Sequence, residues 1–220
     1  MTSPLLWYLN RGTGVVLLVL FTATVVLGVL ATGRSTTPLW PRFVTQGLHR
    51  SLAALSVLML AAHVVSAVVD SYVDIRWWQA FVPFGSTYEP VWLALGALSL
   101  DLLALVVATS LARARVSHRA WFLVHLSTYL AWAAAVVHGI FIGTDSAQGW
   151  MVAINVGCVA AVGLALLARL VAVARGLRVN RRSHTTVGTR RPYGTQSGLE
   201  PPTRHEAPAP VGAGTGGGES

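Results

Sequence analysis

Five apolar stretches, each about as long as a bilayer is thick, constrain this chain more than any other feature. About 20 residues of helix cross a hydrocarbon core. The stretches run from about Val15 to Ala31, Gly47 to Val69, Val91 to Leu111, Ala120 to Ile142 and Trp150 to Val173. No water inside a bilayer satisfies backbone N–H and C=O groups, so each stretch has to be a helix that closes its own hydrogen bonds. The expected fold class is therefore all-α, an integral membrane bundle of five transmembrane helices over residues 1–175. Charged residues make up 11% of the chain, against about 25% in an average soluble domain, which excludes an ordinary soluble domain. A single cysteine, Cys158, excludes intramolecular disulfides, Cys-rich zinc sites, iron–sulfur clusters and covalent CxxCH haem attachment, and reads as a buried helix thiol.

All 16 basic residues are arginine, and the formal charge is +8. Much of that excess lies after the last apolar stretch, as in a cytoplasmic membrane flank, and no nucleic-acid-binding motif accompanies it. Arg34, Arg42, Arg113, Arg115, Arg119 and the tail fall on one side of the membrane. Arg11 and Arg76 fall on the other with Asp70, Asp74, Glu89 and Asp145. The positive-inside rule then expects the N-terminus outside a plasma (inner) membrane and the C-terminus in the cytoplasm. Cleavage at Ala31-Thr32-Gly33, as in a signal peptide, would put Arg34 and Arg42 on the wrong side. Trp7, Trp40, Trp77, Trp78, Trp92, Trp121 and Trp150 lie at span ends and read as interface anchors, whereas Trp132 lies well inside the fourth span. Trp77–Val82 reads either as a short surface helix or as connecting loop. From Gly176 the chain is rich in Gly, Pro, Thr and Arg, and residues 176–220 are expected to be a disordered cytoplasmic tail. No P-loop occurs in the sequence, and the one GxGxxG string, Gly212–Gly217, lies in this Gly-rich tail.

The chemistry lies in the histidines. His184 and His205 fall in the tail and His118 at a basic boundary, but His49 and His63 lie in the second stretch and His125 and His138 in the fourth. Ionisable residues within spans are costly and usually functional. His63 precedes Asp70 by seven residues and His138 precedes Asp145 by seven, so the two sit at one depth, roughly 10 Å below the acids at 1.5 Å per residue. His49 and His125 lie about 20 Å further along their helices and share a second depth. Two facing imidazoles at one depth can take the two axial positions of a haem iron. Zinc wants three or four ligands around one point. Two layers give two b-type haems stacked across the bilayer, with the four histidines as iron ligands.

The spacing also demands a distortion. The 14-residue step from His49 to His63 returns to the same helix face within about 40°, but the 13-residue step from His125 to His138 misses by about 140°. The fourth span therefore needs a bulge, a kink or a rotated second haem, and a π-type bulge is a known device. Arg50, beside His49, and Arg119 suit haem propionates, or are loop charge. Gly47, Gly139 and Gly143 either admit a flat macrocycle or ease helix packing. Tyr129 and Trp132 lie between the layers, in contact with haem or in ordinary packing. Asp101 is the one acid deep in a span, either handling protons or quinol or paired structurally.

The segments His49-Arg50-Ser51-Leu52 through His63, Thr109-Ser110, Arg119-Ala120-Trp121 through His125, Tyr129, and His138-Gly139-Ile140-Phe141-Ile142-Gly143-Thr144-Asp145 resemble the ferric reductase-like transmembrane domain, over roughly residues 10–170. Ferric reductases, NADPH oxidase membrane domains and the haem subunit of the bacterial methionine sulfoxide reductase system share that domain. The resemblance implies haem b bound by His49 with His125 and by His63 with His138, and electron transfer across the membrane. Ferric reductases and NADPH oxidases proper carry a C-terminal FAD/NAD(P)H domain, and no such domain is legible here. The expected function is thus a haem b electron relay, an oxidoreductase subunit that takes electrons from a separate quinol or flavoprotein donor and passes them to an extracytoplasmic redox partner. The rival readings are a non-redox membrane scaffold or transporter with packing histidines, and a protein that binds one haem and keeps the second pair as structure.

Overall fold

The structure, a computed structural model, describes residues 4–31, 42–70 and 75–187, with the backbone alone described for Arg42 and for residues 177–187. The described residues hold no strand. Their helices are α1 (Pro4–Ala31), α2 (Arg42–Val69), α3 (Pro90–Leu111), α4 (His118–Leu126), α5 (Thr128–Ile142) and α6 (Gly149–Val187), with a 3₁₀ turn at Trp77–Ala80. Five spans are long and apolar enough to cross a membrane, α4 and α5 together forming the fourth. The chain divides into two units, Met1–Arg178 and Val179–Ser220. The first holds the bundle and every side chain discussed below, and the second begins in the last turns of α6.

Two helices run longer than hydropathy alone indicates. α1 starts at Pro4 rather than near Val15, because Leu5, Leu6, Trp7, Tyr8 and Leu9 continue the helix through the polar pair Asn10-Arg11. α6 continues past Gly176 to Val187. Residues 177–187, the start of the expected tail, contain no glycine or proline, and the next glycine is Gly188. The rest of that expectation, residues 188–220, lies outside the described residues, as do Arg34, Trp40, Asp74, His205 and the Thr32-Gly33 segment. His184 lies in α6, where the backbone alone is described.

Successive spans alternate in direction. Asn10 of α1 meets Ser66 of α2, Trp92 of α3 stacks on Phe141 of α5 at 4.0 Å and 8°, and Trp121 of α4 donates to Ser110 of α3. One end of the bundle, the Trp7 end, thus gathers the starts of α1, α3 and α6 and the ends of α2 and α5. The Arg113 end gathers the opposite termini. The core lies between α1, α5 and α6. One layer packs Leu18, Val136, Met151 and the free thiol of Cys158, and the next packs Phe21, Val25, Ala131 and Val162. Trp132 touches both layers and donates its indole N–H to Thr22 Oγ1 at 3.0 Å. Leu55, Val57 and Leu58 of α2 and Leu164, Leu167 and Leu170 of α6 are exposed. Lipid, rather than water, suits such faces.

The segment between α2 and α3 is pinned by Gln79, which is buried. Its Oε1 accepts from Arg76 N at 2.7 Å and its Nε2 donates to Gly85 O at 3.0 Å. Around it Trp77, Trp78, Phe81 and Phe84 are exposed, an arrangement suited to the headgroup level.

Candidate functional site

Three of the four intramembrane histidines are held by one repeated device. His63 Nδ1 lies 3.0 Å from the Asn10 carbonyl, His49 Nδ1 lies 2.9 Å from the Thr24 carbonyl, and His138 Nδ1 lies 2.8 Å from the Trp92 carbonyl. A carbonyl only accepts, so Nδ1 carries the proton in each and Nε2 is left as the nitrogen with a free lone pair. Four residues beyond each carbonyl stands a glycine: Gly14, Gly28 and Gly96. A Cβ on Gly14 would lie 3.1 Å from His63 Cε1, one on Gly28 would lie 3.4 Å from His49 Cε1, and one on Gly96 would lie 2.7 Å from His138 Cε1. At Gly96 and Gly14 the missing side chain is what lets the imidazole reach the carbonyl of a neighbouring helix, whereas at Gly28 a Cβ would only touch the ring.

His63 and His138 line one cavity of about 760 Å³ at the Trp7 end, within the size range of small-molecule sites. Asp70 and Asp145 border the same cavity, as their matched offsets from the two histidines require. Asn10 ties the His63 wall together, its Nδ2 donating to His63 O at 2.9 Å and to Ser66 Oγ at 3.3 Å. Arg11, which also borders the cavity, forms an ion pair with Asp145 and lies 4.6 Å from the Trp7 ring.

The second pair is nearer the Arg113 end and does not border this cavity. The His49 and His125 ring centroids are 6.3 Å apart at 63°. A metal ion about 2 Å from one nitrogen of each imidazole sets the centroids roughly 6 Å apart. His125 differs from the other three. Its Nδ1 is buried without a hydrogen-bond partner among the described residues, and its ring stacks on Trp121 at 5.0 Å and 20°.

The fourth span breaks between its two histidines, at Ser127. The break is a tightened turn and not a π bulge: Ser127 N donates to Val124 O at 3.0 Å, Ser127 Oγ donates to the same carbonyl at 2.6 Å, and Thr128 Oγ1 donates to His125 O. A 3₁₀ turn winds about 120° per residue against about 100° in an α-helix. Overwinding therefore moves the step from His125 to His138 toward alignment, though a turn of a few residues supplies only part of the difference.

Other candidates fall elsewhere. Arg50 and Arg119 are exposed, and Arg50 has no hydrogen bond or ion pair among the described residues. Asp101 is half-buried, makes no hydrogen bond or ion pair among the described residues and does not border the cavity. Gly139 and Gly143 line the cavity, but Gly47 does not. Nothing lies within 4 Å of a Cβ built on Gly47 or Gly139. Tyr129 packs beside the Phe21–Val162 layer. Trp92 and Trp121, expected as interface anchors, are half-buried and stack on Phe141 and His125. The sequence reading missed Asn10, Gly14, Gly28 and Gly96. One signal was present: Gly14 and Gly28 stand at the same interval as His49 and His63.

Metal-ligating histidines nearly always donate their other ring N–H to a carbonyl, carboxylate or water, and His49, His63 and His138 meet that condition. Among the described residues no group of three or more His, Cys, Asp or Glu gathers in the way that zinc requires. The donor set is two separated imidazole pairs, which fits haem, since the porphyrin supplies the four equatorial ligands. No protein-family model, curated protein or solved structure matches the chain.

Proposed function

We propose that the chain is a haem b electron-transfer protein of ferric reductase-like type, with His63 and His138 holding one haem and His49 and His125 the other. The observation that carries the reading is the pairing of imidazoles from two different spans at two depths, with three Nδ1–H groups committed to backbone carbonyls. Haem iron, when bound, supplies a reversible one-electron couple. The chain's own part is to orient the imidazoles, to keep Nε2 free for the metal, and to surround the pairs with apolar helix. Gly139 and Gly143 give the cavity a wall of backbone. Arg11, at the Trp7 end, is better placed than Arg50 to meet a propionate in the cavity.

In this reading electrons enter from a cytoplasmic flavoprotein or a quinol at the Arg113 end. They leave to an extracytoplasmic acceptor at the Trp7 end of a protein of the plasma (inner) membrane. The arginines of the α3–α4 connection support that orientation through the positive-inside rule. The test is a dithionite-reduced minus oxidised absorption spectrum of the purified protein, with its haem-to-protein ratio. Two b-type haems per chain are expected, and His63→Ala or His138→Ala should each remove one. Absence of haem from protein made in haem-replete cells would overturn the proposal and leave a non-redox bundle with packing histidines.

A further inference from the structure

We propose that Trp121 positions the His125 imidazole, taking the place of the backbone carbonyl that holds each of the other three rings. The inference rests on the haem reading for its function but on the helix geometry for its existence. The carbonyl device pairs an acceptor with a glycine four residues later: Asn10 with Gly14, Thr24 with Gly28, and Trp92 with Gly96. The interval from His138 back to His125, carried along antiparallel α3 from Gly96, ends at Thr109. The carbonyl four residues before Thr109 is that of Leu105. Thr109 departs from the pattern at the glycine position. It carries a side chain where the other sites have none, and its Oγ1 donates to Leu105 O at 2.8 Å and to Val106 O at 3.1 Å. The fourth histidine is accordingly the one whose Nδ1 lacks a partner.

Stacking supplies the missing restraint. Trp121 lies one helical turn before His125 on α4, so their side chains share a face. The rings are nearly parallel, at 20°, with centroids 5.0 Å apart. Trp121 is itself fixed from two other directions. Its Nε1 donates to Ser110 Oγ at 3.4 Å, and the Arg113 guanidinium lies 4.0 Å from its ring, within cation–π range. A carbonyl fixes both the ring plane and the protonated nitrogen. Stacking fixes the plane alone, which leaves the His125 imidazole without the electron-donating hydrogen bond that raises ligand basicity.

The test uses full-length protein carrying Trp121→Leu and, as conservative control, Trp121→Phe, each examined by electron paramagnetic resonance and haem stoichiometry. Low-spin ferric haem reports the mutual orientation of its two axial rings. Trp121→Leu should shift or convert to high spin one of the two low-spin signals, the one that His49→Ala also removes, while the signal lost in His63→Ala stays at its wild-type position. Trp121→Phe should keep both. Wild-type signals for both haems in Trp121→Leu would overturn the proposal. If wild-type protein holds no haem, the proposed function fails separately, and ring ¹⁵N resonances of labelled histidines in bilayers decide the positioning. His125 should then be the one ring of the four that gains motion in Trp121→Leu, and unchanged His125 resonances would overturn the proposal.

Discussion

A methyl group at position 96 has to displace the His138 ring. A Cβ there would lie 2.7 Å from Cε1, 2.8 Å from Nδ1 and 3.2 Å from Nε2, where ordinary contact begins at 3.4 Å. The ring must therefore retreat by about 0.7 Å, and its bond to the Trp92 carbonyl, now 2.8 Å, stretches toward the limit of a hydrogen bond. Overpacking of this kind costs about 1–3 kcal/mol, and losing the bond adds about 1 kcal/mol. Disturbing a ligand's supporting hydrogen bond typically weakens metal binding by about 10–100-fold, and Gly96→Ala should fall in that range for the His63–His138 haem. The same substitution at Gly14 meets His63 at 3.1 Å and at Gly28 meets His49 at 3.4 Å. The losses should then fall in the order Gly96, Gly14, Gly28, with Gly28→Ala close to wild type. Pyridine haemochrome stoichiometry on purified variants, with thermal unfolding to separate misfolding from haem loss, reads the series. Wild-type haem content in Gly96→Ala, or an equal loss in Gly28→Ala, would refute the reasoning.

Asn10→Ala removes the side-chain bonds to His63 O and Ser66 Oγ but keeps the backbone acceptor for His63. Thermal unfolding should show a loss of about 1 kcal/mol with haem content unchanged. Trp132→Phe and Thr22→Ala remove opposite halves of one hydrogen bond, and a double-mutant cycle should return a coupling of about 1 kcal/mol. Asp145→Asn breaks the ion pair with Arg11, whose side chains are 32% and 19% exposed. It should cost about 1 kcal/mol, and a melting series in rising salt should find the wild-type advantage shrinking.

The spans were legible because a bilayer imposes a length that hydropathy reports directly. Their ends were not, where polar residues ride on a helix that packing sustains: Asn10-Arg11 lies within α1, and α6 passes Gly176 unbroken. The histidine pairing could be read from two nearly equal intervals, and the small mismatch between them placed a distortion in the fourth span. Its kind was not readable, because Ser127 and Thr128 act through side-chain bonds to preceding carbonyls that spacing does not reveal. The glycine niches escaped notice because each depends on the register between two helices, and Gly14, Gly28 and Gly96 look locally like any small residue in a span. The stacking of Trp92 and Trp121 was not legible for a related reason. A tryptophan near a span end suits the interface by composition, but these two have aromatic partners across a helix contact or one turn away.

The paired intervals on α1 and α2 make these two helices a matched gauge. Deleting one residue between Gly14 and Thr24 turns one niche against the other by about 100° and shortens the interval by about 1.5 Å. His49 and His63, their own spacing unchanged, can then no longer both find a carbonyl. A deletion before Asn10 or after Gly28 leaves the two niches in phase. A single deletion between Gly14 and Thr24 should thus be harmful, and a matching deletion between His49 and His63 would realign the niches only by taking one histidine out of register with its partner, His125 or His138. The length of this segment of α1 is constrained more tightly than the identity of most side chains along it.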